Sequence, residues 1–444
     1  MLDFLDMKSD CTGCTACVAA CPVDCIKMVV DEEGFLYPES DSRCISCGKC
    51  QRVCPSRNQR VMDKGFVQKA YACKTKEKEV WLQSSSGGAF TEICTAWNEG
   101  KVFIAGAAWD GLEVMHTCVQ GLDNIGKLCK SKYIASNMGR TFLDMKEYLE
   151  SGKRVVFCGT PCQVIGLKNF LGIDYENLLT IDLICHGVGS PTVFKECIKA
   201  IEKKFHCSVS RYEFRAKRNT YTQNHIQRLI TKSHKTFLIE NDYYMQLFLN
   251  QLCLRPCCGE NCKYRNQNRT GDFTIGDFKK LGKVFPKLCG EKGNYSTIIV
   301  NNEKADKLLP ILRKRLVMYE CDLNYIKKYN PLFYTTTKPN DKRDLFFREF
   351  LQDGENAVTR WTVEFGKSRR SLKKILWEHL PILLRKYIIR RFHLGGGVVA
   401  VGTKSNISLI EVKFAASRKR GRIITGARTY EESNVHIWHQ TGGD

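Results

Sequence analysis

Apolar and polar positions change period several times along the chain, and those changes divide it. From about residue 68, short apolar runs alternate with stretches of helical spacing. Ala70-Tyr-Ala-Cys73 reads as a strand, and Ser84-Ser-Ser-Gly-Gly-Ala-Phe90 opens a helical pattern that continues to about Trp97. Val102–Trp109 is an unbroken apolar run and reads as a buried strand. Thr141–Glu150 is amphipathic at helical spacing. Arg154–Cys158 is a strand ended by Gly159-Thr-Pro-Cys-Gln163, and a helix follows to about Leu171. Leu178–Cys185 is a further strand, stopped at His186-Gly187, with a helix over Pro191–Phe205. Residues 207–232 read as paired strands and Asp242–Leu252 as a helix. Strands alternating with helices predict an α/β domain with a largely parallel sheet, ending near residue 340. Ligands gather at the carboxyl ends of strands in such sheets, where the turns 84–88, 159–163 and 185–187 are expected.

The two ends of the chain differ from this middle. Residues 1–60 form an internal repeat of two halves, linked by a strand over Ile26–Val30, a turn and a second strand. Residues 56–67 are polar and aperiodic, a linker. The organisation expected is therefore 1–60, then 68–150 and 151–340 as two parts of one domain, then 341–397 and a tail 398–444. Within 371–394, Leu372, Ile375, Leu376 and Leu380 recur at helical spacing among lysines and arginines. That stretch reads either as a helix covering a core or as a membrane-surface anchor. The tail is β-like and Gly-punctuated, and no function follows from it.

Cysteines change the picture most. The repeat of residues 1–60 carries Cys11-x2-Cys14-x2-Cys17-x3-Cys21-Pro22 and Cys44-x2-Cys47-x2-Cys50-x3-Cys54-Pro55. Each run has the bacterial ferredoxin spacing for a 4Fe–4S cluster, whose iron takes soft thiolates. In two-cluster ferredoxins the fourth cysteine of a run serves the other cluster. This assigns Cys11, Cys14, Cys17 and Cys54 to one cluster and Cys44, Cys47, Cys50 and Cys21 to the second. Zinc sites favour paired C-x2-C elements instead. Cys25 is left over as a spare thiol near the clusters.

The chain has 444 residues, 24 of them cysteine, and a net charge of +22. The N-terminus shows no secretory pattern, and no run approaches the ~18 apolar residues a membrane span requires. The cysteines therefore read as reduced thiols and metal ligands in a cytoplasm, with peripheral membrane contact through 371–394 as a further expectation. From Arg360 to Arg422 there are 16 lysines and arginines against 3 acidic residues. Nucleic-acid motifs are lacking, so an acidic partner or an anionic membrane surface fits this charge better.

Three turns carry candidate chemistry. Ser84–Gly88 places small residues at a helix start, either a cradle for a flavin phosphate or an ordinary serine cap. Gly159–Gln163 puts the Cys162 thiol at the ligand edge, and Cys185-His186-Gly187 is a similar turn. Cys257, Cys258 and Cys262, with Cys162 and Cys185, offer five thiols for the four places of a third cluster; zinc and unligated thiols are the alternatives. Lys130 and Lys132 suit an anionic cofactor tail or a solvated basic loop. No Ser–His–Asp or paired-carboxylate pattern points to hydrolysis.

Ser86-Gly-Gly88, Ser131-Lys-Tyr133, Gly159–Gln163, Asp182-Leu-Ile-Cys-His-Gly187, the 253–262 cysteines and Thr274-Ile-Gly-Asp-Phe278 occur in order. In this the chain resembles the beta-subunit family of hydrogenases and formate dehydrogenases that reduce the deazaflavin coenzyme F-420, over about residues 68–340. The resemblance implies an α+β ferredoxin-like dicluster domain followed by an α/β flavin-binding catalytic domain. It implies FAD held by Ser86, Gly87, Gly88, Lys132, Gly159, Thr160, Pro161, Gln163, His186 and Gly187. It implies an additional 4Fe–4S cluster, here given to Cys162, Cys185, Cys258 and Cys262, with a redox partner protein or ferredoxin and a small-molecule hydride acceptor. The Cys257-Cys258 pair departs from the simpler pattern expected there. Two further functions fit the same features: an electron-carrying subunit that feeds a partner, and an enzyme that reduces a biosynthetic intermediate.

Overall fold

The structure, a computed structural model, describes residues 8–59, 65–217, 226–259, 262–291, 294–336, 339–366 and 435–437. The 371–394 helix and most of the 398–444 tail lie outside the described residues. The N-terminal unit comprises α1 (Ala16–Ala19), β1 (Ile26–Val30), β2 (Leu36–Ser40) and α2 (Lys49–Val53). β1 and β2 pair antiparallel, the strand-turn-strand link that the sequence predicts.

The body follows in the order β3 (Lys69–Thr75), α3 (Lys78–Gln83), α4 (Ala89–Trp97), β4 (Val102–Asp110), β5 (Glu113–Gln120), α5 (Thr141–Glu150), β6 (Arg154–Gly159), α6 (Pro161–Leu171), β7 (Leu178–Leu183) and α7 (Pro191–Phe205). Then come β8 (Val209–Glu213), β9 (Ile226–Thr231), β10 (Thr236–Glu240), α8 (Tyr243–Leu249), β11 (Phe273–Asp277), β12 (Ser296–Val300) and β13 (Leu316–Cys321). Eight strands form one sheet in the order β13-β3-β12-β11-β7-β6-β4-β5. Only its centre is parallel: β4 with β6, β6 with β7, β7 with β11. β5, β12, β3 and β13 join antiparallel, so the largely parallel sheet expected is a mixed one. The physical reason is visible at β5. It returns from β4 through Gly111-Leu112, a two-residue turn with Gly111 at φ 58°, and so cannot run parallel.

Side chains alternate across the sheet. Val155 and Phe157 pack with Phe142 and Leu167 on the α5/α6 face, while Val156 packs with Ile93 and Ile181 on the other. Helix ends match their sequence signals. Thr160 and Gln163 close a capping box on α6 with Pro161 in its first turn, Ser190 caps α7, and Asp242 caps α8. β8, β9 and β10 form a second sheet, to which Val435–Ile437 adds parallel to β10. The helical stretch Arg343–Gly366, kinked at Gly354, buries Phe346, Phe350 and Trp361 in the cluster of α7 and α8, so packing continues past residue 340.

The N-terminal unit is docked onto this body. Phe35 and Tyr37 share one apolar cluster with Phe194 and Tyr244. Arg343 pairs with Glu33, and the Ser190 hydroxyl donates to the Glu33 carbonyl. Gly34 (φ 88°) packs so closely that a Cβ would stand 2.2 Å from Thr192 Oγ1. Among the described residues no helix is long and apolar enough to cross a membrane.

Candidate metal and cofactor site

The parallel centre of the sheet brings the chemistry-bearing turns to one edge. β6 ends at Gly159, β7 at Leu183 and β11 at Asp277, and the 84–88 loop lies against Cys73 of β3 and Ser296 of β12. Around this edge two neighbouring places can be distinguished.

The first is a cavity lined by thiols. Its wall includes Cys162, Cys185, Cys257, Cys258 and Cys262, with Thr160, Gln163, Gly187, Arg255, Tyr264 and Arg265. Thr12 and Gly13 of the N-terminal unit complete it. Local structure explains why these thiols meet. Cys162 occupies the first turn of α6, with its Sγ 3.1 Å from Thr160 Oγ1. Gly187, at φ 123°, allows Cys258 to approach: a Cβ there would meet Cys258 Cβ at 3.0 Å. Burial raises the Cys162 and Cys185 thiols, Cys185 to about 12, and each of the two also feels Cys258 and Cys262. A hydrogen bond from Cys257 brings Cys258 down to about 7, with Arg255 and Arg265 assisting. Metal binding removes such thiol protons outright. Arg255 and Arg265 are themselves buried. Two buried cations are costly alone and suit an anionic thiolate–metal group beside them. The residues therefore fit an iron–sulfur cluster.

Seven of the nine cysteines of the N-terminal unit fall into two groups. Cys14, Cys17 and Cys54 each sense Cys11, and Cys17 also senses Cys14 and Cys54. This group is largely enclosed, with Cys11 and Cys14 buried. Cys50 lies with Cys44 and Cys47, which are exposed. Cys25, the leftover thiol, is 3.4 Å from Cys21 Sγ and hydrogen-bonds Cys44. Among the described residues, no three metal-ligating side chains converge as tightly as a single ion requires. That holds for the ferredoxin runs and the cavity alike.

The second place surrounds the 84–88 turn, and here charge matters more than the turn. Gly87 N–H already donates to Ser296 Oγ at 2.8 Å, and a Cβ on Gly87 would stand 2.2 Å from Cys73 O. Ser86 Oγ donates to the Tyr295 carbonyl. Close packing thus accounts for Gly87, and for Gly88, whose φ is 92°. Cations gather next to it. Lys217 Nζ donates to Trp81 O and, at 3.0 Å, lies beside Ser84 Oγ. Burial lowers Lys217 to about 6, with Arg215, Lys130 and Lys74 adding repulsion. Lys132 is lowered to about 8 by burial and donates to the carbonyls of Leu128 and Cys129. Arg215 ties three motifs together: it bonds Asp277 Oδ2 at 2.8 Å, Tyr133 Oη at 3.3 Å and Ser85 O at 3.2 Å. Gln163 and Thr160 cap α6, and Gly159 packs on Phe157. The His186 ring lies tilted against Phe248, and its carbonyl accepts from Arg265.

Arg215, Lys217, Arg255 and Arg265 carry no sequence signal of their own. Only the Arg255-Pro-Cys257 context could have pointed to one of them.

Residues 10–58 match the family described as 4Fe-4S dicluster domain. Residues 152–324 match the family of the C-terminal part of the coenzyme F-420 hydrogenase/dehydrogenase beta subunit. No curated protein matches the chain. A solved structure, the xenon derivative of the F-420-reducing NiFe hydrogenase complex from Methanosarcina barkeri, contains a chain that is 15% identical. The similarity covers 69% of this chain and 95% of that one with a TM-score of 0.39.

Proposed function

From a chain that joins a 4Fe–4S dicluster domain to a segment of the F-420 hydrogenase/dehydrogenase beta-subunit family, we propose an iron–sulfur flavoprotein oxidoreductase that takes or gives single electrons at its N-terminal unit and exchanges a hydride at its sheet edge. Oxidoreductase chemistry and iron–sulfur electron transfer follow from the two families themselves. The rest is a reading of the residues. Cys11, Cys14, Cys17 and Cys54 hold the inner ferredoxin-type cluster; Cys44, Cys47, Cys50 and Cys21 hold the outer one. Cys162, Cys185, Cys258 and Cys262 hold a third. The 84–88 and 159–163 turns would hold FAD, with Lys130, Lys132, Arg215 and Lys217 suited to its anionic part. Bound in these places, the clusters supply one-electron chemistry and the flavin converts it to two-electron chemistry.

The chain's own residues have defined tasks. Arg255 and Arg265 offset thiolate charge inside the cavity. Arg215 fixes the 85, 133 and 277 loops relative to one another. The exposed Cys44 and Cys47 edge is where a redox partner protein or ferredoxin can approach. The observation that carries the proposal is the cavity, in which five thiols of the body face Thr12 and Gly13 of the ferredoxin-type unit.

A second reading, an electron-carrying subunit without hydride chemistry, draws on one observation: the Gly87 N–H is already used by Ser296. Mixing the dithionite-reduced protein anaerobically with oxidised coenzyme F-420 separates the two. The proposal expects bleaching of the coenzyme's absorbance. An absence of bleaching with this and with nicotinamide acceptors, in protein that binds no flavin, selects the electron-carrying subunit; the same absence in protein that binds flavin selects an enzyme with another acceptor.

A further inference from the structure

Arg255 stands between the ferredoxin-type unit and the thiol cavity. It is 2% exposed. Nε donates to the Cys11 carbonyl at 2.8 Å and Nη2 to the Leu36 carbonyl at 2.9 Å. Nη2 also lies 3.5 Å from Cys11 Sγ, within N–H···S reach. The guanidinium stacks over Tyr37 at 4.2 Å from the ring centroid. Gly13 makes room for it: a Cβ there would be 3.0 Å from Nη1. On its other side the backbone of Arg255 leads directly into Pro256–Cys258 at the cavity wall. Among the described residues no carboxylate pairs with it; its acceptors there are carbonyls and a thiol.

We propose that Arg255 is a positioning residue that raises the reduction potential of the cluster held by Cys11, Cys14, Cys17 and Cys54, making it the better electron acceptor of the two ferredoxin-type clusters. The inference rests on the ligand assignment given above. Reduction adds negative charge to a cluster. A buried, permanently charged donor on one ligand sulfur favours that added charge, and solvent exposure and hydrogen bonding to sulfur are the usual levers on such potentials. The outer group lacks an equivalent among the described residues. Arg43, in that region, is committed to Asp41 through three contacts of 2.7 to 3.2 Å, so its charge is already compensated. An electron entering at the exposed Cys44–Cys47 edge then moves inward, toward the cavity.

The test uses full-length, anaerobically prepared protein and a redox titration followed by electron paramagnetic resonance. Cys54→Ser identifies the inner signal; if it disturbs the other signal instead, the ligand assignment fails, independently of Arg255. In Arg255→Gln the inner cluster's reduced-to-oxidised ratio at fixed potential should fall at least tenfold, about 59 mV for a one-electron couple. The outer cluster should not move, and Arg255→Lys, which keeps the charge, should fall between. An unchanged inner midpoint, or equal shifts in both clusters, overturns the proposal. Should Arg255→Gln fail to assemble, the native protein answers the same question. With 15N-arginine incorporated, its inner cluster must show hyperfine coupling to an arginine nitrogen, which the Gly13 N–H on the same sulfur cannot supply, and no coupling overturns the proposal.

Discussion

Cys257 and Cys258 are adjacent, and the proposed ligand set takes only Cys258. Cys162 and Cys185 both feel Cys258 and Cys262, while Cys257 is hydrogen-bonded to Cys258 and feels Arg255 and Cys162. Cys258→Ser should therefore remove about four irons per chain while Cys257→Ser keeps them, as iron analysis of both variants can show. Lys217 gives a pH test. Its ammonium is disfavoured by burial and by Arg215, so in the ligand-free protein it is neutral above about 6. An anion beside it favours the charged form, so anion binding takes up a proton. FAD affinity should then weaken from pH 6 to pH 8, by up to about tenfold per unit. Lys217→Met should flatten that profile in a fluorescence titration. An affinity that rises with pH would sink the assignment of Lys217. At this scale the ferredoxin-type runs were legible in the sequence, because thiol spacing reports chemistry directly. Arg255 and Lys217 were not, because their partners lie far along the chain, Cys11 being 244 residues from Arg255.

Secondary structure was legible where the chain carries its own stop signals. Thr160-Pro161 and Gln163 start α6, and Gly172 at φ 76° ends it. Strand direction was not, because it depends on where the chain returns. The two-residue Gly111-Leu112 turn brings β5 back antiparallel, and β12 follows β11 in the same sense of reversal. α6 also shows how one element joins two functions. Its N-terminus presents Cys162 to the cavity, and its Gly166 faces Cys14 of the inner ferredoxin-type group, where a Cβ would stand 2.9 Å from Sγ. Adding that methyl in a packed place costs about 1–3 kcal/mol. Gly166→Ala should lower the melting temperature and the iron retained by the inner cluster, read by thermal melts and iron counts on the same sample. A variant equal to the native protein in both would show that α6 and the cluster unit are not in register as described.

The described residues form a cluster unit fixed to a mixed-sheet body by shared core, so Thr12 and Gly13 of one part meet five thiols of the other at one wall. The chain's net charge of +22 favours acidic partners over long range. Reduction by an acidic ferredoxin should slow as salt rises from about 0.01 to 0.15 M, where the screening length falls from about 30 to 8 Å. Reduction by an uncharged one-electron donor should not. Stopped-flow traces at several ionic strengths separate the two, and equal salt responses would argue against an electrostatically guided partner.

The central claim is that this chain carries three clusters and a flavin. Anaerobically purified, reconstituted protein should contain about twelve irons, matching sulfide and one flavin per chain. Eight irons and no flavin would contradict it and leave a ferredoxin unit on a body that holds no redox group.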